Sequence, residues 1–330
     1  MYGGTERVVA ALANALVRSG EDVTLFASAD SSTDATLVPM RARALRLDPH
    51  GHAVDTVAHL NMLEQVLDRA QQFDLLHFHL EALHFPQCER LAHKTVTTLH
   101  GRTDVEDLAP FYARWRSFPL VSISACQRRA LPLAHWVATV HHGLPLDLFR
   151  PVPSPRNDYL AFLGRVSPEK RLDRAIRIAQ QCGQRLKVAA KIASADSDYF
   201  HAQIEPLLDE SSIEFVGEIG DGEKTEFLGN AAALLFPIDW PEPFGLVMIE
   251  AMACGTPVIA WRCGAAPEVV EDGLTGFLVD DEMQAARAVE RARMLDRDAI
   301  RRRCEERFAA ERMAAHYRRV YRSVLGRGSE

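Results

Sequence analysis

Two carboxylates in one segment frame the residues with the plainest capacity for chemistry: Pro241-Glu242-Pro243-Phe244-Gly245-Leu246-Val247-Met248-Ile249-Glu250. Pro243 and Gly245 keep Glu242 outside the helix that Leu246 begins, whereas Glu250 lies on it. At about 1.5 Å of rise per residue the carboxylates stand roughly 12 Å apart, too far to act as a paired acid and base on one bond. They suit instead the two ends of one long ligand. Between them, the first-turn amides of Phe244, Gly245 and Leu246 and the positive end of the helix dipole suit phosphate oxygens. A sugar, a diphosphate and a ribose in line fit that layout.

A second segment, Phe162-Leu163-Gly164-Arg165-Val166-Ser167-Pro168-Glu169-Lys170, reads as a strand running into a turn that leads to a helix. Gly164 permits close backbone approach at the strand's carboxyl end, where open α/β sheets bind ligands. Arg165 and Lys170 bring two cations there, each able to give a diphosphate a charge-assisted hydrogen bond of about 1.5–3 kcal/mol. A metal is then dispensable, and no D-x-D cluster is placed for magnesium. We therefore expect no metal site and no cofactor. His77 and His79 share one side of a strand, as two zinc ligands would, but no third ligand has an evident spacing. They, His84 and the His141-His142 pair are read as satisfied core or cleft histidines. Lys191 reads as a surface lysine, with a phosphate or sugar contact as the alternative.

Positioning these residues requires strands alternating with amphipathic helices, the pattern of parallel sheets covered on both faces. The first half predicts strands at 23–27, 74–79, 95–100, 120–124 and 136–141. Its opening helix, 5–18, lines up Val8, Val9, Leu12, Leu16 and Val17, with the Thr5 hydroxyl as cap and Gly20 as terminator. Pro151, Pro153 and Pro155 break the chain. This sets an amino-terminal domain at 1–150 and a carboxy-terminal domain at 151–308. The latter predicts strands at 159–163, 186–190, 213–216, 233–237, 258–261 and 276–279, and helices at 172–181, 197–208, 224–228 and 246–254. Residues 282–325 are helical and Arg-rich, a density of charge read as a solvated face.

The chain's 330 residues are 47 % hydrophobic and 25 % charged, enough apolar surface for two cores. A formal charge of −7 argues against a nucleic-acid partner. Six scattered cysteines without a C-x-x-C pair read as reduced thiols of a cytoplasmic protein. The start lacks a signal-peptide layout, and Glu250 interrupts the apolar run 246–261, so no transmembrane segment is expected.

Together these segments resemble the retaining glycosyltransferases of family 4, over nearly the whole chain. The resemblance rests on 164–170, on Glu242 and Glu250 with Phe244-Gly245, and on Gly255-Thr256-Pro257-Val258. It implies the GT-B architecture, two Rossmann-like α/β domains facing across a cleft, with the 309–330 helix crossing back to the first domain. It implies that Glu242 contacts donor-sugar hydroxyls, Glu250 the ribose hydroxyls, and Arg165 and Lys170 the diphosphate. It further implies that Gly3-Gly4 forms a glycine loop near the diphosphate, that His100 meets the donor sugar, and that the Ile219 backbone reads the base.

Family members usually carry a strand before the glycine pair, so the first strand of the amino-terminal sheet is expected to be missing and its neighbours to lack a hydrogen-bond partner. Arg171 stands where the family often has glycine. The implied reaction moves a hexose from a nucleotide-diphosphate sugar, UDP-glucose first among those to test, to a small-molecule, glycan or lipid acceptor, the last compatible with peripheral membrane contact. A catalytically inactive sugar-nucleotide binder or partner subunit, and a GT-B epimerase, fit the same residues. A dinucleotide-dependent oxidoreductase does not, because no G-x-G-x-x-G joins an early strand to a helix.

Overall fold

A computed structural model describes residues 3–47, 52–208 and 212–326; Met1 and Tyr2, which precede the glycine pair, and residues 327–330 of the terminal segment lie outside these. The chain forms two compact units. One comprises Leu144–Ala309 with Ser124–Gln127; the other comprises Gly3–Ile123, Arg128–Gly143 and the chain from Ala310.

The carboxy-terminal unit is built on a six-stranded parallel sheet. Its strands are β7 (Tyr159–Arg165), β8 (Arg185–Lys191), β9 (Ile213–Gly217), β10 (Ala233–Phe236), β11 (Val258–Trp261) and β12 (Gly276–Val279). They lie in the order β12-β11-β10-β7-β8-β9. Counted from β7, this is the 3-2-1-4-5-6 order of a doubly wound sheet, whose direction of winding reverses between β7 and β10. β7 and β10 are buried along their length because helices cover both faces, so only the terminal Arg165 of β7 is exposed. Leu160, Phe162, Val188, Leu235 and Ile259 meet Ile176 and Ala179 of the Leu172–Gln181 helix and Ala285 and Val289 of the Glu282–Ala292 helix in one core.

The sequence predicts one helix over 197–208, but a short α turn (Ser197–Tyr199) passes into a π turn (Phe200–Ile204) and a 3-10 turn (Glu205–Leu207). Pro206 supplies no amide and clashes with the preceding turn, so a regular helix cannot run through it.

The Arg-rich tail forms three helices, Glu282–Ala292, Arg297–Phe308 and Ala310–Val324. It is not simply a solvated face. Arg297 donates to the carbonyls of Gly229 (2.7 Å) and Ala231 (2.9 Å), to Asn157 Oδ1 (2.9 Å) and to Thr256 Oγ1 (2.6 Å). Arg301 donates to the carbonyls of Phe149 and Ala253, each at 2.5 Å, and of Leu146 at 3.1 Å. Gly229 and Ala253 end the Asp221–Gly229 and Leu246–Ala253 helices, where the last carbonyls have no intrahelical partner and the dipole attracts a cation. The charge density is there because two helix ends need it.

In the other unit, β1 (Thr24–Ser28) pairs in parallel with β2 (Thr36–Arg41). A separate parallel sheet runs β3 (Leu76–Phe78), β4 (Thr95–Thr98), β5 (Leu120–Ser122) and β6 (Trp136–Thr139). β1 and β3 each have one hydrogen-bonded strand neighbour among the described residues. β1 is only half-buried throughout. β2 carries Pro39, which hides it from a sequence pattern and is tolerated because β2 is an edge strand.

The opening helix, Gly4–Arg18, starts one residue earlier than predicted. Gly3 is its N-cap and no side chain caps it, so Thr5 lies inside the first turn and does not serve as the cap. This helix and β4 pack against the Ala310–Val324 helix, to which Thr98 hydrogen-bonds through Tyr317 (2.9 Å). No helix among the described residues is long and apolar enough to cross a membrane.

Candidate functional site

The carboxyl ends of β7 and β10 flank the point where the sheet's winding reverses, and both sequence-derived segments emerge there. β7 ends at Arg165, and a 3-10 turn, Pro168–Lys170, follows. The loop after β10 returns to that turn: the Asp239 amide donates to the Glu169 carbonyl at 3.0 Å. Lys170 Nζ then makes a close ion pair with Glu242, and it lies 5.2 Å from the ring centre of Trp240. Both members are largely buried. Arg165 is half exposed, donates to Glu169 at 2.7 Å and stands 3.4 Å from Asp196. Lys191 is exposed at the end of β8, directly opposite Arg165 in the strand register.

No protein atom demands glycine at 164, since a Cβ there would meet only the Phe162 ring, at 3.8 Å. Arg171 adopts the left-handed conformation (φ +55°), which explains glycine's suitability there. Its guanidinium compensates by holding Asp173 with two hydrogen bonds and Asp239 at 2.6 Å. Burial would raise the Asp173 carboxyl, but hydrogen bonds from Arg171 and Arg177 outweigh it and hold it at about 2.

Gly245 is the N-cap of the Leu246–Ala253 helix at φ +82°, and a Cβ there would lie 2.8 Å from both Met248 and Phe236. Pro243 and Phe244 are buried, the latter edge-on to Phe308 at 6.1 Å, and Leu246 is half-buried. The Phe244 ring thus serves the core. Glu250 is buried to 2 % exposure, which excludes an idle surface position on the helix. It accepts from Lys224 at 3.1 Å. Ile219 is half-buried in the turn between β9 and the Asp221–Gly229 helix that carries Lys224.

Lys170, Glu242, Arg165 and Lys191 therefore gather along neighbouring strand ends, while Glu250 forms a second, buried ion pair one helix further on. Lys224 and Gly264 escape a sequence reading: a lone lysine defaults to the surface, and only a glycine just after β11, at a strand's carboxyl end, hinted at the latter.

In the other unit, Gly3 and Gly4 open the first helix and are half-buried. His100 follows β4. Its Nε2 lies 2.8 Å from His79 Nδ1, and its ring stacks on His142 at 5.2 Å. The His100 and Gly101 amides both donate to Glu81 at 3.0 Å. Burial lowers the His100 imidazole to about 4. The His77 ring lies 4.1 Å from that of His79, tilted at 42°, and bonds Thr98 and Tyr321, each at 2.8 Å. His84 stacks on Phe78 and bonds Thr97, as a core histidine does. Among the described residues no group of three or more His, Cys, Asp or Glu side chains is arranged to hold a metal ion.

The family described as "Glycosyl transferases group 1" matches residues 148–310, and that described as "Glycosyltransferase Family 4" matches 2–144. A D-inositol 3-phosphate glycosyltransferase of Mycobacterium sp. (strain KMS) is 33 % identical over 165 residues, 44 % of this chain and 36 % of that relative, so the chain spans well under two thirds of the curated relatives it matches. Among solved structures, sucrose-phosphate synthase from Thermosynechococcus elongatus is similar at a TM-score of 0.78 and 21 % identity, covering 99 % of this chain and 94 % of that one. Anabaena HepE in complex with UDP-glucose is similar at 0.73 and 20 %, covering 98 % and 97 %. With both family matches resting on segments that carry the site residues, the chain belongs to the group 1 and family 4 glycosyltransferases, with the GT-B fold.

Proposed function

We propose that the protein transfers a hexose from a nucleoside-diphosphate sugar to an acceptor hydroxyl with retention at the anomeric carbon, and that UDP-glucose is the donor. The observation that carries this reading is the Lys170–Glu242 pair beside Arg165 at the reversal point of the sheet. There a cation meets the diphosphate while the acid it holds meets the sugar. Arg165, Lys170 and the amides of Phe244, Gly245 and Leu246 receive the negative charge that grows on the leaving diphosphate, without a metal. Gly164 leaves room for the phosphates and Lys191 adds a third cation. Pro243 keeps Glu242 clear of the helix, Glu250 binds the ribose hydroxyls, and the Ile219 backbone reads the base. The UDP-glucose complex of the structurally similar HepE supports the choice of donor.

In the chemical step the bond from C1 to the phosphate oxygen breaks, and the acceptor oxygen bonds to C1 on the same face. The acceptor proton passes to the departing phosphate oxygen. The protein's own work is positioning and charge stabilisation. The resemblance assigns His100 and the Gly3-Gly4 loop to the same donor. His100 would orient the sugar, since an imidazole held near 4 is a poor base at neutral pH. The six cysteines form no disulfide, which suits the cytoplasm proposed for it.

The test is a screen of nucleotide sugars against small-molecule, glycan and lipid acceptors in the presence of a chelator, with the product anomer read by NMR. Transfer with inversion, or transfer abolished by the chelator, overturns the mechanism. The rival reading is an inactive sugar-nucleotide binder or partner subunit. Tight UDP-glucose binding in calorimetry with no transfer to any acceptor would establish that rival.

A further inference from the structure

Lys224 is a buried ammonium to which the donor-binding reading gives no task. Its side chain is 6 % exposed, and its Nζ lies 3.1 Å from Glu250 Oε1 and 3.1 Å from Asp221 Oδ1. A buried ion pair is weak evidence for stability, because apolar residues of similar volume often replace one without loss. Its place in the fold gives it another use. Asp221 opens the helix directly after the turn that holds Ile219 and Gly220. Glu223 reaches back to the Gly220 amide at 2.8 Å, fixing that turn to the helix. Lys224 therefore ties the Glu250 carboxylate to the element that follows the base-reading turn.

A carboxylate that accepts from two vicinal hydroxyls must be held in one orientation, and an ammonium bonded to one of its oxygens holds it so. We propose that Lys224 is a positioning residue that holds Glu250 for the ribose diol and thereby sets the preference for ribonucleotides over 2′-deoxyribonucleotides. The proposal rests on the reading that Glu250 binds ribose.

Calorimetry separates the two claims. UDP, GDP and ADP are titrated first, and the tightest is carried forward with its 2′-deoxy form. The wild type should prefer the ribonucleotide by about tenfold or more, the loss expected for one hydrogen bond to a charged group. If it binds both forms equally, or binds none of the three nucleotides, the ribose reading itself fails and the proposal with it.

Given that preference, Lys224→Met should weaken the ribonucleotide about 10- to 100-fold while weakening the deoxy form far less, so that the ratio falls close to one. Lys224→Arg should restore most of the ratio. A merely structural lysine would weaken both forms alike. A Lys224→Met protein that melts cooperatively and keeps the wild-type ratio overturns the proposal. If that variant does not fold, Lys224→Gln decides: a ratio clearly below wild type supports the role, and an unchanged one overturns it.

Discussion

Gly264 lies against the main chain of Glu242 so closely that a β-carbon on it would stand 2.6 Å from the Glu242 carbonyl oxygen. Its φ of +59° is left-handed, and the neighbouring Ala265 amide donates to that same carbonyl at 2.9 Å. The turn after β11 thus braces the Glu242 loop from behind. Gly264→Ala meets rigid backbone and an unfavourable φ together, and should cost about 1–3 kcal/mol of stability. It should also displace Glu242 from the place proposed for it on the donor sugar, lowering turnover on the order of 10²-fold. Denaturant unfolding beside a transfer assay checks both. Wild-type stability in the alanine variant would show that the loop yields and that the brace is unimportant.

Arg165 and Lys170 differ in their surroundings, and their substitutions should differ accordingly. Each alanine variant should lose turnover on the order of 10²-fold, as expected where a group stabilises charge only in the transition state. Lys170→Ala also removes the partner of Glu242, so it should raise the donor KM as well. Arg165, whose ion pairs are half exposed, should leave KM nearer to wild type. Near-normal turnover in both variants would remove the cations from the mechanism.

Much of the candidate site's local geometry was legible because its residues are local in the chain. A strand, a glycine, two cations and a turn within 162–170 state their own geometry, as do an acid, a proline and a glycine ahead of the Leu246–Ala253 helix. What stayed hidden depends on contacts between distant segments. Nothing near Lys224 announces that Glu250 will meet it, nor anything near Arg297 and Arg301 that each will meet the carboxyl end of a distant helix. β2 stayed hidden for a local reason, since Pro39 argues against a strand unless its edge position is known. The parallel alternation gave the fold of each unit, because buried central strands such as β7 and β10 are continuous apolar runs.

The buried imidazoles of the amino-terminal unit make stability depend on pH in a window above the range of ordinary carboxylates. Burial, with smaller contributions from neighbouring histidines, lowers His77 to about 3; burial alone lowers His84 to about 3 and His100 to about 4. His79 and His142 are also held well below the ordinary value, by burial first. In the unfolded chain these groups take up protons near pH 6.5, whereas the folded protein leaves them neutral until far lower. Between about pH 6.5 and 4 the unfolded state therefore binds more protons, and stability falls as the solution is acidified. Glu81, raised by burial, works in the opposite sense, but it is one group against five. Urea midpoints should be level from pH 8 to 7 and decline from 6.5 to 5, and His84→Phe should make the decline shallower. Equal midpoints at pH 7 and 5 would contradict this account.

Arg297 and Arg302 sit on the same helix and separate a structural arginine from a decorative one. Arg302 makes an exposed pair with Asp296 at 3.5 Å, which is worth little. Arg297 is largely withdrawn from water, which lowers its pKa, and it satisfies the carbonyls of Gly229 and Ala231 together with Asn157 and Thr256. Removing it takes their donor from the carbonyls of Gly229 and Ala231 at once, so Arg297→Ala should cost about 3 kcal/mol. Arg297→Lys should recover less than half of that, because a single ammonium cannot span the positions the guanidinium fork reaches. Arg302→Ala should leave the unfolding midpoint near wild type. The comparison is made by urea denaturation of the three variants, and similar midpoints for Arg297→Ala and Arg302→Ala would show that the helix ends find water instead.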